Sequence, residues 1–197
     1  MIGISKLYCG TVEPSDALRY GRDSKKLPSH LLQFSIDKKP VVVWNVTRRC
    51  NLKCAHCYAH SRDIDYKNEL TTEEGKALID DLADFGSPVV LFSGGEPLMR
   101  KDLPELAAYA RSKGRRAVIS TNGTLIDKEM AKKLKEIGLS YVGISLDGMR
   151  ETNDKFRGCP GAFDAALEGL LNCRDEGIKV GLSFTINKHN VQDITAI

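Results

Sequence analysis

From Lys39 onward, short β-branched runs alternate with longer segments whose apolar residues recur every three to four positions. That alternation predicts successive βα units around a parallel sheet. Strands are predicted at Val41–Val46, Val89–Phe92, Arg116–Thr121, Tyr141–Leu146 and Lys179–Ile186, each bounded by Gly, Pro, Asn or Asp. Helices are predicted at Thr72–Phe85, Leu103–Lys113, Lys128–Ile137 and Ala162–Glu176, as Leu78, Leu82 and Phe85 illustrate in the first. Gly86, Gly114, Gly138 and Gly177 follow these helices as left-handed stops, while Thr71 or Thr72 with Glu74, and Asp127, mark two starts. Residues 1–39 fit no such unit and read as an N-terminal extension packed on or near the barrel, leaving residues 40–197 as the core.

The fold class expected is therefore α/β, a partial (β/α) TIM-like barrel. Asn190–Ile197 reads as the first turn of a further helix, with Asp193 ahead of an apolar pattern. Five strands leave the last edge uncovered, which is a liability in an isolated sheet. The expectation is a chain truncated before a sixth strand, with a partnered dimer as the other way to cover that edge.

Composition adds exclusions. The 197 residues are 42% hydrophobic and 28% charged, with 17 Gly and 7 Pro, which excludes disordered, collagen-like and low-complexity classes. Lys and Arg number 29 against 26 Asp and Glu, a net charge of +3, too small for a broad nucleic-acid or anionic-membrane footprint. Apolar runs such as Val41–Trp44 fall far short of the roughly 20 residues of a membrane span. No leader pattern opens the chain, so the expected place is the cytoplasm, with no nucleic-acid or membrane partner.

Six cysteines then need a role, since disulfides are rare in that compartment. Cys9, Cys159 and Cys173 are scattered and read as inert thiols. Cys50, Cys54 and Cys57 form a Cys-x3-Cys-x2-Cys loop directly after the first strand. With His60 they could complete a Cys3His zinc tetrahedron. Alternatively, three thiolates could hold an iron–sulfur cluster with one iron left for a non-protein ligand. Placement favours the cluster, because a barrel keeps its chemistry at the C-terminal ends of its strands.

The loop Cys50-Asn51-Leu52-Lys53-Cys54-Ala55-His56-Cys57 resembles the signature of the radical S-adenosylmethionine (SAM) enzymes. The resemblance implies a [4Fe–4S] cluster on Cys50, Cys54 and Cys57, with SAM chelating the fourth iron. Ser93-Gly94-Gly95-Glu96-Pro97 resembles that family's GGE motif, which implies that Gly94 and Gly95 backbone and the Glu96 carboxylate meet the methionine amino group. Ser145 and Asp147 match contacts to the SAM ribose or carboxylate, with Asn122 close by; Arg157 matches a carboxylate-binding arginine, and His56 lies where the family stacks a ring near the adenine. The implied chemistry is reductive cleavage of SAM to a 5′-deoxyadenosyl radical that removes a hydrogen atom from a C–H bond, fed by a donor such as a flavodoxin or ferredoxin. No residue acting on the substrate radical is legible.

The N-terminal segments Gly3–Gly10, Asp16–Arg22, Leu27–Phe34 and Lys38–Asn45 resemble the didecarboxysiroheme deacetylases of the alternative haem pathway and their NirJ-type relatives. That resemblance implies a small-molecule tetrapyrrole substrate losing two acetate side chains, with Arg19, Arg22, Lys25, Lys26, Arg48 and Arg49 available to its carboxylates. It also implies a cysteine-bearing C-terminal region in relatives, so a truncated chain would lack part of the substrate wall. Two other readings stand beside it. One is a peptide-maturing radical SAM enzyme with a similar cysteine loop; the other is a zinc-stabilised interaction module built on Cys50, Cys54, Cys57 and His60.

Overall fold

Five parallel strands, β1 Val42–Thr47, β2 Val89–Gly94, β3 Arg116–Thr121, β4 Tyr141–Ser145 and β5 Val180–Ser183, lie side by side in chain order. A computed structural model describes them within residues 39–197, of which Val41–Ile197 forms one compact unit. Between the strands run helices α1 Thr72–Phe85, α2 Leu103–Ser112, α3 Lys128–Ile137, α4 Arg150–Arg157 and α5 Ala162–Asp175. This is the expected partial barrel. The sequence-derived extension and its cations Arg19, Arg22, Lys25 and Lys26 lie outside the described residues, as does Cys9.

The local signals explain the boundaries. Thr71 caps α1 in a full capping box with Glu74, and Asp127 caps α3 by accepting from the Met130 amide at 2.7 Å. Gly138 ends α3 at φ 75°, a left-handed conformation that glycine adopts without strain.

One helix departs from expectation. Arg150–Arg157 carries Phe156 as its one large apolar residue, so no hydrophobic period betrays α4. Polar contacts hold it instead: Asn153 Oδ1 accepts from the Asp147 amide at 3.0 Å, and Asp154 accepts from the Gly161 and Phe163 amides that open α5. The helix expected over Asn190–Ile197 is reduced to a 3-10 turn at Val191–Asp193. Asn190 does not cap it, because its buried side-chain amide donates to the carbonyls of Asp147 and Thr185.

Strand alternation sorts the two faces of the sheet. Val46, Val90, Phe92, Ala117, Ile119, Val142 and Ile144 pack with Ile79 of α1, Leu106 of α2, Leu134 of α3 and Ala166 of α5 in one buried cluster. Each large side chain buried there stabilises the fold by about 1.5–3 kcal/mol. One residue further along β2 and β4, and one beyond Ile119 on β3, stand Ser93, Ser145 and Ser120, which turn to the other face and line a recess at the strand ends. Among the described residues no helix is long and apolar enough to cross a membrane.

Candidate functional site

β1 runs directly into the cysteine loop, and the β1–β2 register shifts between Asn45 and Thr47 where the chain turns. Thr47 Oγ1 donates to Glu69 Oε1 at 2.8 Å and accepts from the Arg49 amide at 3.0 Å, shaping that turn. The amides of Gly95 and Glu96 donate to the carbonyls of Thr47 and Arg49, each at 2.8 Å, so the end of β2 is stitched to the loop. A Cβ on Gly94 would stand 2.2 Å from Thr47 O, and one on Gly95 2.3 Å from Arg49 O. These two glycines are thus required by the approach of the loop backbone. On its other side the loop is tied to α4, through Lys53 N to Arg157 O at 3.1 Å and Ala55 N to Phe156 O at 2.8 Å.

Within this frame each of the three thiols accepts an N–H. The Leu52 amide donates to Cys50 Sγ at 3.4 Å, the Ser61 amide to Cys57 Sγ at 3.4 Å, and the Arg157 guanidinium, through Nη1, to Cys54 Sγ at 3.7 Å. Burial pushes the Cys50 thiol up to about 11. At Cys57 burial acts in the same direction, but hydrogen bonds from Ser61, Ala59 and His60 outweigh it and leave that thiol below its ordinary value.

Cys50, Cys54 and Cys57 line one recess of about 220 Å³ with His56, Gly94, Gly95, Asn122, Ser145 and Arg157. The structure therefore gathers nine of the eleven residues that the sequence nominates. The two others, Glu96 and Asp147, are buried outside its lining.

The Glu96 side chain stands behind the recess wall. Its Oε1 accepts from Thr121 Oγ1 at 2.7 Å and the Leu98 amide at 3.1 Å, and its Oε2 accepts from the Asn122 amide at 2.8 Å. What this motif presents to the recess is the backbone of Gly94 and Gly95. Asn122 does line the recess, but its side chain also braces the loop, donating to Asn51 Oδ1 at 2.9 Å and accepting from the Thr124 amide at 2.9 Å.

Asp147 is likewise buried, against two residues of the recess lining. Its Oδ2 stands 2.6 Å from Arg157 Nη2 and 3.2 Å from His56 Nε2, and its Oδ1 accepts from the Thr185 amide at 2.8 Å. One buried carboxylate thus joins the cysteine loop, α4 and the segment after β5. The Phe156 ring lies 5.3 Å from His56 and 6.5 Å from His189. Arg157 Nε is buried and meets no hydrogen-bond acceptor among the described residues.

Three thiols, the half-buried Gly94 and Gly95 backbone and the Arg157 cation around one recess fit a thiolate-held cluster with a carboxylate-bearing ligand beside it. Among the described residues no group of three or more His, Cys, Asp or Glu side chains is placed to hold a single metal ion, whereas a cluster sets each thiolate on its own iron. His60, the fourth ligand of the zinc alternative, is not part of the recess lining.

The sequence did not single out Tyr58, Ser93, Ser120 or Thr185, which also line the recess. Ser93, Ser120 and Thr185 sit at or just beyond strand ends, the position that already marks Asn122 and Ser145. Cys159, read from the sequence as an inert scattered thiol, packs with Cys54 against the small cluster of Cys50, Leu52 and Ala162.

A family model described as the Radical SAM superfamily matches residues 44–197. Along its whole length the chain is 85% identical to an Fe-coproporphyrin III synthase of Methanosarcina barkeri, covering 49% of that protein. It is 51% identical, over 77% of the chain and 38% of the relative, to a pre-heme d1 synthase of Dinoroseobacter shibae. The chain thus spans half or less of the length of these curated relatives. In fold, it superposes on the crystal structure of SuiB from Streptococcus suis bound to S-adenosylmethionine with a TM-score of 0.68, at 20% identity, over 79% of this chain and 36% of that one.

Proposed function

Because this chain belongs to the radical SAM superfamily, whose cofactors are a [4Fe–4S] cluster and SAM, we propose that Cys50, Cys54 and Cys57 hold the cluster and that the recess around them receives SAM. The observation that carries this is the single recess shared by the three thiols and the Arg157 cation. When bound and reduced, the cluster supplies the electron that splits SAM into methionine and a 5′-deoxyadenosyl radical, which abstracts a substrate hydrogen atom. A one-electron donor such as a flavodoxin or ferredoxin is the partner this requires.

The chain's own residues position and shield. Gly94 and Gly95 offer backbone groups at the recess wall, where a side chain would collide with the loop. Arg157, which lines the recess and is held in place by Asp147, is the cation for the SAM carboxylate. Ser145 and Asn122 supply polar groups at the ends of β4 and β3, and His56, fixed between Asp147 and Phe156, offers a ring face. Glu96 acts from behind, locking the end of β3 to that of β2.

For the substrate we propose a carboxylate-bearing tetrapyrrole, with loss of two acetate side chains from didecarboxysiroheme as the specific reaction. The names of the relatives and the pattern of residues 3–45 support this reading. A second recess of about 420 Å³ shares Gly94 and Gly95 with the first and is lined by Trp44, Arg48, Glu69 and Leu70. Arg49 is ion-paired with Asp63 at 2.6 Å and Asp65 at 3.3 Å. Among the described residues the Arg48 side chain donates its Nε to Ala59 O and lies over the Tyr66 ring at 5.1 Å, and its outer nitrogens are the groups proposed to meet a substrate carboxylate. Anaerobic incubation of the reconstituted protein with SAM, a reductant and didecarboxysiroheme tests the reading by mass spectrometry. Loss of two acetate groups supports it; SAM cleavage with an unchanged tetrapyrrole refutes the substrate assignment alone.

A further inference from the structure

The three thiols of the loop differ in where their hydrogen bonds come from. Cys50 and Cys57 accept from backbone amides two and four residues onward, donors that do not depend on a charged side chain. Cys54 accepts from a side chain 103 residues away, and that side chain is a cation. Arg157 is 7% exposed and Asp147 1%, so their 2.6 Å contact is made away from water. The pair is further fixed by the Thr185 amide on Asp147 Oδ1 and by the Lys53 and Arg157 backbones, which bond to each other. A guanidinium held so rigidly keeps separate addresses for its nitrogens: Nη2 on Asp147 and Nη1 on Cys54, with Nε buried and without an acceptor among the described residues.

We propose that Arg157, clamped by Asp147, acts through Cys54 as a positioning residue that raises the reduction potential of the cluster. Hydrogen bonds to ligating sulfurs and nearby positive charge both stabilise the more negative, reduced state of an iron–sulfur centre. Reduction adds one electron and moves no ligand, so the balance needs only the one-electron donor already required. The inference rests on the cysteine assignment above, but not on the role of Arg157 toward SAM. In a protein without SAM the contact to Cys54 persists.

The test is an EPR-monitored redox titration of anaerobically reconstituted protein in the absence of SAM. Wild type is compared with Arg157→Gln, Arg157→Lys and the double variant Arg157→Gln/Asp147→Asn, the last leaving no orphaned buried charge. Arg157→Gln is expected to shift the reduction equilibrium at least tenfold toward the oxidised state, 59 mV for one electron. Arg157→Lys keeps the charge but loses the fork, so a smaller shift in the same direction is expected. In the double variant the shift persists at reduced size. A wild-type potential in the double variant overturns the inference, because the shift in Arg157→Gln would then come from the bare Asp147 anion alone. Unchanged potentials throughout overturn it as well. A wild-type protein that takes up no iron and sulfide refutes the cluster reading itself, and this inference with it.

Discussion

Arg157 and Asp147, both buried, meet at 2.6 Å, and their contact ties α4, which is bonded to the cysteine loop, to the end of β4. Removing one partner from such a pair strands the other as an uncompensated buried charge. Asp147→Ala should therefore lower unfolding free energy by about 3–5 kcal/mol, as should Arg157→Ala. The double variant should lose clearly less than the sum, because each single change already breaks the same contact. Urea denaturation of the three variants measures this, and additive losses would show that the two residues do not act as a pair.

A second prediction concerns the other buried carboxylate. Burial raises the Glu96 carboxyl above its ordinary 4.5, against the pull of hydrogen bonds from Asn122, Thr121 and Leu98. With a raised native pKa, the folded chain holds a proton that the unfolded chain has already released. The stabilising share of Glu96 is thus complete below about pH 4.5 and declines as pH rises through the raised value. Glu96→Gln has no such slope, but its amide donors face groups that need acceptors, a penalty of about 1–3 kcal/mol. The variant should be least competitive near pH 4.5 and close part of its deficit as pH rises; a gap that widens with pH contradicts the assignment.

The glycines predict opposite outcomes for one and the same substitution. Gly95→Ala would drive its Cβ to 2.3 Å from Arg49 O and 2.6 Å from Arg48 O, so the cysteine loop must move. Reduced iron uptake on reconstitution and a loss of several kcal/mol, roughly the scale of core overpacking and more, are expected. Gly114→Ala meets nothing within 4 Å and carries only the strain of φ +73°, about 1–2 kcal/mol. Its iron content should match wild type.

Cysteine variants separate the loop from its neighbour. Cys50→Ala, Cys54→Ala and Cys57→Ala should each abolish stoichiometric iron and sulfide. Cys159→Ala should keep both, although Cys159 packs beside Cys54. Cys173 is fully buried, with its thiol pushed up to about 11 by burial, and Cys173→Ala should also retain the iron.

How far the sequence reaches depends on the kind of signal. Helices α1 and α3 are legible because their caps, Thr71 with Glu74 and Asp127, and their apolar period agree. Helix α4 is not, since residues that look like a polar loop become helical only when Asn153 and Asp154 bond to their neighbours along the chain and Arg157 is buried. In the site, the three cysteines and the paired glycines stand out by spacing. The distribution of the charged groups does not: whether Asp147 points into the recess or pairs with Arg157 behind it depends on which helix lies between β4 and α5. Likewise the reason for Gly94 and Gly95 is a backbone contact with Thr47 and Arg49, residues from another strand's end.

The central claim is that Cys50, Cys54 and Cys57 hold a cluster open to SAM. It is tested most directly by reconstituting the chain anaerobically with iron and sulfide, reducing it with dithionite, and recording its EPR spectrum before and after SAM is added, with product analysis of the same sample. A cluster held by these cysteines gives a reduced [4Fe–4S] signal that changes on SAM addition, followed by methionine and 5′-deoxyadenosine. Stoichiometric zinc without acid-labile sulfide, or a cluster whose spectrum ignores SAM and yields no deoxyadenosine, would contradict it.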